Sequence, residues 1–264
     1  MKTRTRSLLS VVALLLKITA VIVLVSSQAV AAPGDASGVL LQSPGGRAIT
    51  ALPLDTCTLV DPTRTCHLWA MPGEITMPDG AAVPIWGFAE TETGIAQLPG
   101  PMLIANQGEM LEIILHNQLP GETVSLVFPG QPGIVPDLTG VPAGGSTTYS
   151  FPVSNPGTFL YEAGLTENGT RQVAMGLYGA LVVRPPNAGQ AYDDVATGFE
   201  DEELLVLSEI DPAFNADPNV FEMQFYQPKY WLINGRAYPE TVEIETVANN
   251  RVLPPDSNRA LGAQ

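Results

Sequence analysis

Residues 157–183 read GTFLYEAGLTENGTRQVAMGLYGALVV. A strand-sized apolar run, a polar connection and a second apolar run follow one another, which is the grammar of an all-β domain. Outward from this stretch, VPIWGFA, PMLIANQ, EMLEIILHNQL, ETVSLVF and GSTTYSFPV are strand-sized too. Turn punctuation such as PGP, LPGE, PGQPG and SNPG separates them, built from residues that tolerate or preset turn dihedrals. Within LEIILHN, Leu111, Ile113 and Leu115 alternate with Glu112, Ile114 and His116, as a half-buried strand requires. About seven or eight such runs between residues 67 and 185 predict one antiparallel β-sandwich of ordinary domain size.

Beyond this region, PNAGQAYDDVATGFEDEE (186–203) is polar and acidic, a surface excursion leading into the strand-like LLVLSEI. PKYWLINGRAYPETVEIET then reads as strand, Asn234-Gly235 turn and strand, because Asn-Gly accepts the positive φ of a tight hairpin. The closing VANNRVLPPDSNRALGAQ has no apolar periodicity, so a further domain is expected to begin near Trp231 and stop short.

At the other end, Lys2, Arg4 and Arg6 precede the apolar run LLSVVALLLKITAVIVLV, and Ala29 and Ala31 form an A-x-A site. This is the layout of a secretory signal peptide over residues 1–31. The competing reading is an uncleaved anchor, since the run approaches the roughly 20 residues that span a bilayer. Lys17 in mid-run and the A-x-A favour cleavage and a secreted or periplasmic product without membrane attachment. Cleavage removes four cations and no acid, taking the formal charge from −15 to −19. A surface so acidic repels phosphate backbones and argues against a nucleic-acid partner.

Cys57 and Cys66 lie close together in TCTLVDPTRTCHLWA. In an oxidising compartment such a pair forms a disulfide, and closing so short a loop contributes about 2–3 kcal/mol on the chain-entropy model. A metal reading would use both cysteines with His67, but it lacks a fourth ligand and C-x-x-C spacing.

Several ordered motifs resemble one family, the multicopper oxidases, and within it the N-terminal cupredoxin (plastocyanin-like) domain. LPGPMLIANQGEMLEIILHNQLP resembles the family's opening segment, and VPAGGSTTYSF its P-P-G-G-S turn and strand. QVAMGLYGALVV is similar to the segment that closes the domain, and YWLINGRAYPET to the entry into a second one. The resemblance implies an all-β, cupredoxin-like Greek-key sandwich. It divides the chain into signal peptide (1–31), linker with disulfide-closed lead-in (32–66), cupredoxin-like domain (67–188), connecting segment (189–230) and truncated start of a second domain (231–264).

The same resemblance implies four imidazoles for a coupled copper cluster, from two H-x-H motifs. SLVFPG stands where the first is expected and places Val127 and Pro129 at its histidine positions. GTFLYEAG stands where the second is expected and places Glu162 and Gly164 there. Imidazole suits copper as a borderline-soft nitrogen donor, and none of these four residues supplies one. The chain has two histidines, His67 and His116, and no cysteine after residue 66, which excludes a late Cys-x-His-x-Met blue-copper arrangement. His116, before Asn117 at a strand end, is expected to face solvent, and Met71, Met77, Met102, Met110, Met175 and Met223 are scattered.

Other chemistry finds weaker footing. Glu162, aimed into an old cavity, would be desolvated and could act as an acid or base; the alternative is a solvated Glu162, or one paired with Arg171. Ser146, Ser150 and Ser154 lack a triad partner and a G-x-S-x-G context. Gly45-Gly46 and Gly144-Gly145 lack the lysine of a phosphate loop. Asn168-Gly169-Thr170 fits a glycosylation acceptor, and Asp201, Glu202 and Glu203 read as a solvated acidic run rather than a calcium site.

The expected function is therefore an exported cupredoxin-fold module with no catalytic, cofactor or metal residues of its own, serving a structural or interaction role. The alternative is the N-terminal part of a laccase-like, copper-dependent oxidoreductase whose copper lies in further cupredoxin domains. Expected partners are such domains or another protein.

Overall fold

The computed structural model describes residues 57–253. The signal-peptide reading, most of the lead-in and the last part of the tail lie outside the described residues.

In chain order the strands are β1 (Thr58–Val60), β2 (Thr63–Thr76), β3 (Ala82–Ala89), β4 (Gly100–Asn106), β5 (Met110–Asn117), β6 (Thr123–Val124), β7 (Leu126–Val127), β8 (Val141–Pro142), β9 (Ser146–Pro152) and β10 (Gly157–Ala163). After β10 come helix α1 (Gly169–Met175), β11 (Tyr178–Arg184), β12 (Asp201–Glu202), β13 (Leu207–Ile210), helix α2 (Pro212–Ala216), β14 (Tyr230–Ile233), β15 (Arg236–Ala237) and β16 (Val252–Leu253).

Two sheets carry the main domain. One runs β1-β2-β5-β9, with β3 also on β2; the other runs β4-β11-β10-β7. Their facing side chains merge in one core, with Leu68, Phe88, Leu111, Ile113, Leu115 and Phe151 from the first sheet. Leu103, Leu126, Tyr161, Leu181 and Val183 answer from the second. The alternation in β5 follows the sequence reading, since Leu111, Ile113 and Leu115 are buried while Glu112, Ile114 and His116 stay half-exposed.

The all-β sandwich is as expected, but the purely antiparallel pairing is not. β2 pairs with β5 in parallel, and so does β4 with β11. Between β2 and β5 the chain makes the β3 hairpin arm and then crosses to the other sheet as β4. It thus returns to β2 in the same sense. Hydrophobic alternation reports which face a residue takes and carries no information on strand direction.

β11 departs from alternation, with buried residues from Tyr178 to Val183. One face meets the sandwich core, while Tyr178 and Ala180 pack against Val206, Leu204 and Leu160 on the other. The connecting segment thus covers the back of the sheet.

The Asn234-Gly235 turn forms as expected, at φ 50° and 75°, and joins β14 to β15. β13 extends this hairpin into a three-stranded sheet. Its inner residues Ile210, Tyr230, Leu232 and Ala237 bury against Met77 and Val83 of the β2–β3 hairpin. Lys229 Nζ and Tyr230 Oη both donate to Asp79 Oδ2, at 3.0 and 2.8 Å. Those two contacts and the Ala81 N–H hold the Asp79 carboxyl at about 2.

Cys57 and Cys66 form a disulfide across β1 and β2, Cα atoms 4.3 Å apart, as the sequence indicated. Cys66 is therefore not available as a metal ligand beside His67.

Candidate functional site

The four positions singled out by the H-x-H resemblance meet at the end of the second sheet. β10 pairs with β7 so that Glu162 faces Val127 and Ala163 faces Leu126. Pro129 is exposed just beyond β7, and Gly164, at the end of β10, is buried. The Gly164 N–H donates to Ser125 O at 2.8 Å. A Cβ placed on Gly164 would meet Ser125 Oγ, so a side chain here would require the Ser125 hydroxyl to turn away. Beneath the pair, Phe128 is buried and packs on Phe151 and Tyr149, ring centroids 4.8 and 6.0 Å away. Glu162 stands half-exposed in the ladder.

Neighbouring polar groups are engaged in holding the loops. The Tyr149 hydroxyl donates to Asp137 Oδ2 at 2.8 Å and accepts from Leu126 N–H. Burial pushes the Asp137 carboxyl up, but the Gly140 N–H, the Tyr149 hydroxyl and the Thr139 N–H outweigh it and keep Asp137 below its ordinary value. Burial, reinforced by Asp137, raises the Tyr149 phenol.

Tyr161 and Gln172, prominent in the opening stretch, are structural. Tyr161 is fully buried, donates to Pro101 O at 2.6 Å, and lies against Gly179 and Gly100 where no Cβ would fit. Burial drives its phenol far above the ordinary range. The expected polar connection contains helix α1, and Gln172 ties it down by donating to Glu122 Oε2 and Thr123 O, both at 2.9 Å. Asn168 and Arg171 belong to the same patch: Asn168 donates to Glu122, and Arg171 donates to Asn168 and Asn219. Asp201, Glu202 and Glu203 do not converge either. Asp201 accepts from Thr246 and Asn250, Glu202 pairs with Arg184, and burial with neighbouring acids raises Glu203.

The first sheet holds a contact that sequence reading missed. His67 Nδ1 and His116 Nε2 are 3.1 Å apart. The parallel register sets Trp69 opposite His116 and His67 opposite Ile114, so the histidines are diagonal neighbours on the outer face. Trp69 stacks on His116 at 4.3 Å and 9°. Burial first, then the His67 charge, lowers the His116 pKa, with Glu92 opposing. Each histidine stands at an outward position of its strand, His67 exposed and His116 half-exposed, but only the β2–β5 pairing, which alternation does not give, makes them neighbours.

Residues 74–188 match the family model described as multicopper oxidase. Together with the sheets, this decides the assignment. The domain is a multicopper oxidase cupredoxin domain. Laccase-1 of Cryptococcus neoformans var. neoformans serotype D (strain B-3501A) is 29% identical over 184 residues, 58% of this chain and 28% of that protein. L-ascorbate oxidase of Cucurbita pepo var. melopepo is 37% identical over 100 residues, 34% of this chain and 17% of that protein. The chain thus spans well under half the length of these relatives. Among solved structures, the blue copper oxidase of Nitrosomonas europaea superposes at TM-score 0.57 and 21% identity, covering 68% of this chain and 55% of that one. The copper nitrite reductase of the same organism gives 0.53 and 21%, covering 66% and 57%. These likenesses establish the fold.

Copper belongs to this family, so the donor set of the cupredoxin domain can be tested against it. Val127 and Pro129 have no ligating side-chain atoms, Gly164 has no side chain, and Glu162 offers a single carboxylate. That set does not fit a coupled cluster built on imidazole. Among the described residues, no group of three or more His, Cys, Asp or Glu side chains is placed to hold a metal, and no helix is long and apolar enough to cross a membrane.

Proposed function

We propose that this chain is an exported cupredoxin module in which the copper-cluster positions have been given over to packing, and that it serves as a structural or interaction domain. The donor set at the four positions, Val127, Pro129, Glu162 and Gly164, carries the reading. The packing of Gly164 against Ser125 supports it, since a side chain there would have to displace the Ser125 hydroxyl. The signal-peptide layout and the Cys57–Cys66 disulfide support export, and the −15 formal charge argues against nucleic acid as a partner. Oxygen uptake by the copper-loaded protein with a phenolic donor tests it. No turnover and no blue or coupled-copper absorption is expected; either activity would remove the proposal.

A second reading rests on the outer face of the β13–β15 sheet. Leu207, Trp231 and Ile233 line it together and are exposed, Trp231 at 68%. An apolar face of this kind suits coverage by another domain, as in a laccase-like oxidoreductase with copper in further cupredoxin domains. Sequencing the gene past codon 264 tests that reading. A frame encoding H-x-H and H-C-H motifs supports it, and its absence removes it.

A further inference from the structure

We propose that His67 and His116 form a two-imidazole site for one divalent transition-metal ion of the Cu(II), Ni(II) or Zn(II) class, on the outer face of the first sheet. These are the chain's only histidines, and folding brings them together from 49 residues apart. Ions of this class bind imidazole nitrogen at about 2.0–2.1 Å, so two adjacent ligands stand roughly 2.9–3.4 Å apart in square or tetrahedral geometry. The observed Nδ1···Nε2 separation of 3.1 Å falls inside that span. In the structure the two rings meet edge to edge, one donating to the other across this separation; an ion would take the place of that proton, with both rings turning so that Nδ1 of His67 and Nε2 of His116 converge on it.

His67, Trp69 and His116 lie nearly parallel, with interplanar angles of 9–19°, which limits the rotamer freedom that binding would otherwise have to freeze. Beside His116 a recess of about 270 Å³ is lined by Glu92, Gln118, Ser146 and the Gly144-Gly145 turn. It has room for water ligands and for the Glu92 carboxylate, whose charge already acts on His116. Two protein nitrogens with open remaining positions make an exchangeable site, unlike a closed structural one. It lies on the sheet opposite Val127 and Glu162 and owes nothing to the H-x-H positions.

The test uses the tag-free mature protein at neutral pH, because a histidine tag would add its own imidazoles. Cu(II) and Zn(II) are titrated in by calorimetry, with tryptophan fluorescence read in parallel. One ion per chain is expected, with Cu(II) held more tightly than Zn(II) and quenching the emission of Trp69. His67→Ala and His116→Ala, each confirmed as folded by circular dichroism, should each abolish saturable binding. Trp69→Phe should keep the calorimetric signal while losing most of the quenching. The proposal is overturned if the wild-type protein shows no saturable binding, or if binding survives in both histidine variants.

Discussion

Gly164 shows how much of a site one missing side chain can decide. Its N–H bonds Ser125 O, and a Cβ there would strike Ser125 Oγ. Gly164→Ala should therefore destabilise the domain by about 1–3 kcal/mol, the usual cost of overpacking, read as a lower urea midpoint. Ser125→Ala in the same chain should recover part of the loss, because it removes the atom in the way. A Gly164→Ala variant as stable as wild type would mean the strands separate easily at this point. His116 supplies a second test. Its folded pKa lies below the ordinary 6.5 because of burial and the His67 charge, so the unfolded chain takes up the proton first. Stability is then full above that ordinary value and falls as pH drops through it. Urea midpoints from about pH 8 to about pH 5 should decline for wild type and flatten in His116→Gln. An unchanged slope in the variant would contradict this assignment. Neither feature was legible in the sequence, which shows a glycine and two distant histidines but not the close approach or the shared face.

At the scale of elements, alternation carried most of the information. It located β5, and it named the buried residues Leu111, Ile113 and Leu115. The Asn234-Gly235 pair fixed the hairpin because only positive φ closes so tight a turn. Alternation could not give the parallel partners of β2 and β11, since direction depends on where the chain crosses between sheets. It also missed α1, a short helix held by the Gln172 contacts more than by its own propensity. The β14 strand puts two large residues on opposite faces and so offers an internal control. Leu232→Ala removes a buried contact with Met77 and Val83 and should cost about 2–5 kcal/mol. Trp231→Ala, on the exposed face, should stay within about 0.5 kcal/mol. Equal costs at both positions in chemical denaturation would mean the outer face is covered.

For the molecule as a whole, the proposed function separates scaffold from chemistry. Residues 74–188 match the family model, and the two sheets superpose on copper enzymes. The family's fold was readable because its turns and buried positions survive in PGP, AGGS and GLYGALVV. The H-x-H resemblance expects the family's metal chemistry from four side chains, at positions where this chain carries Val127, Pro129, Glu162 and Gly164. A sandwich core is spread over dozens of residues and tolerates their substitution by other apolar groups, whereas a coupled copper cluster has no such redundancy. Oxygen consumption by the copper-loaded mature protein, with a phenolic donor and the His67→Ala/His116→Ala double variant alongside, decides whether the scaffold acts alone. We predict no oxygen uptake and no blue or coupled-copper absorption in either protein; steady oxygen reduction by the wild-type chain would contradict the proposal.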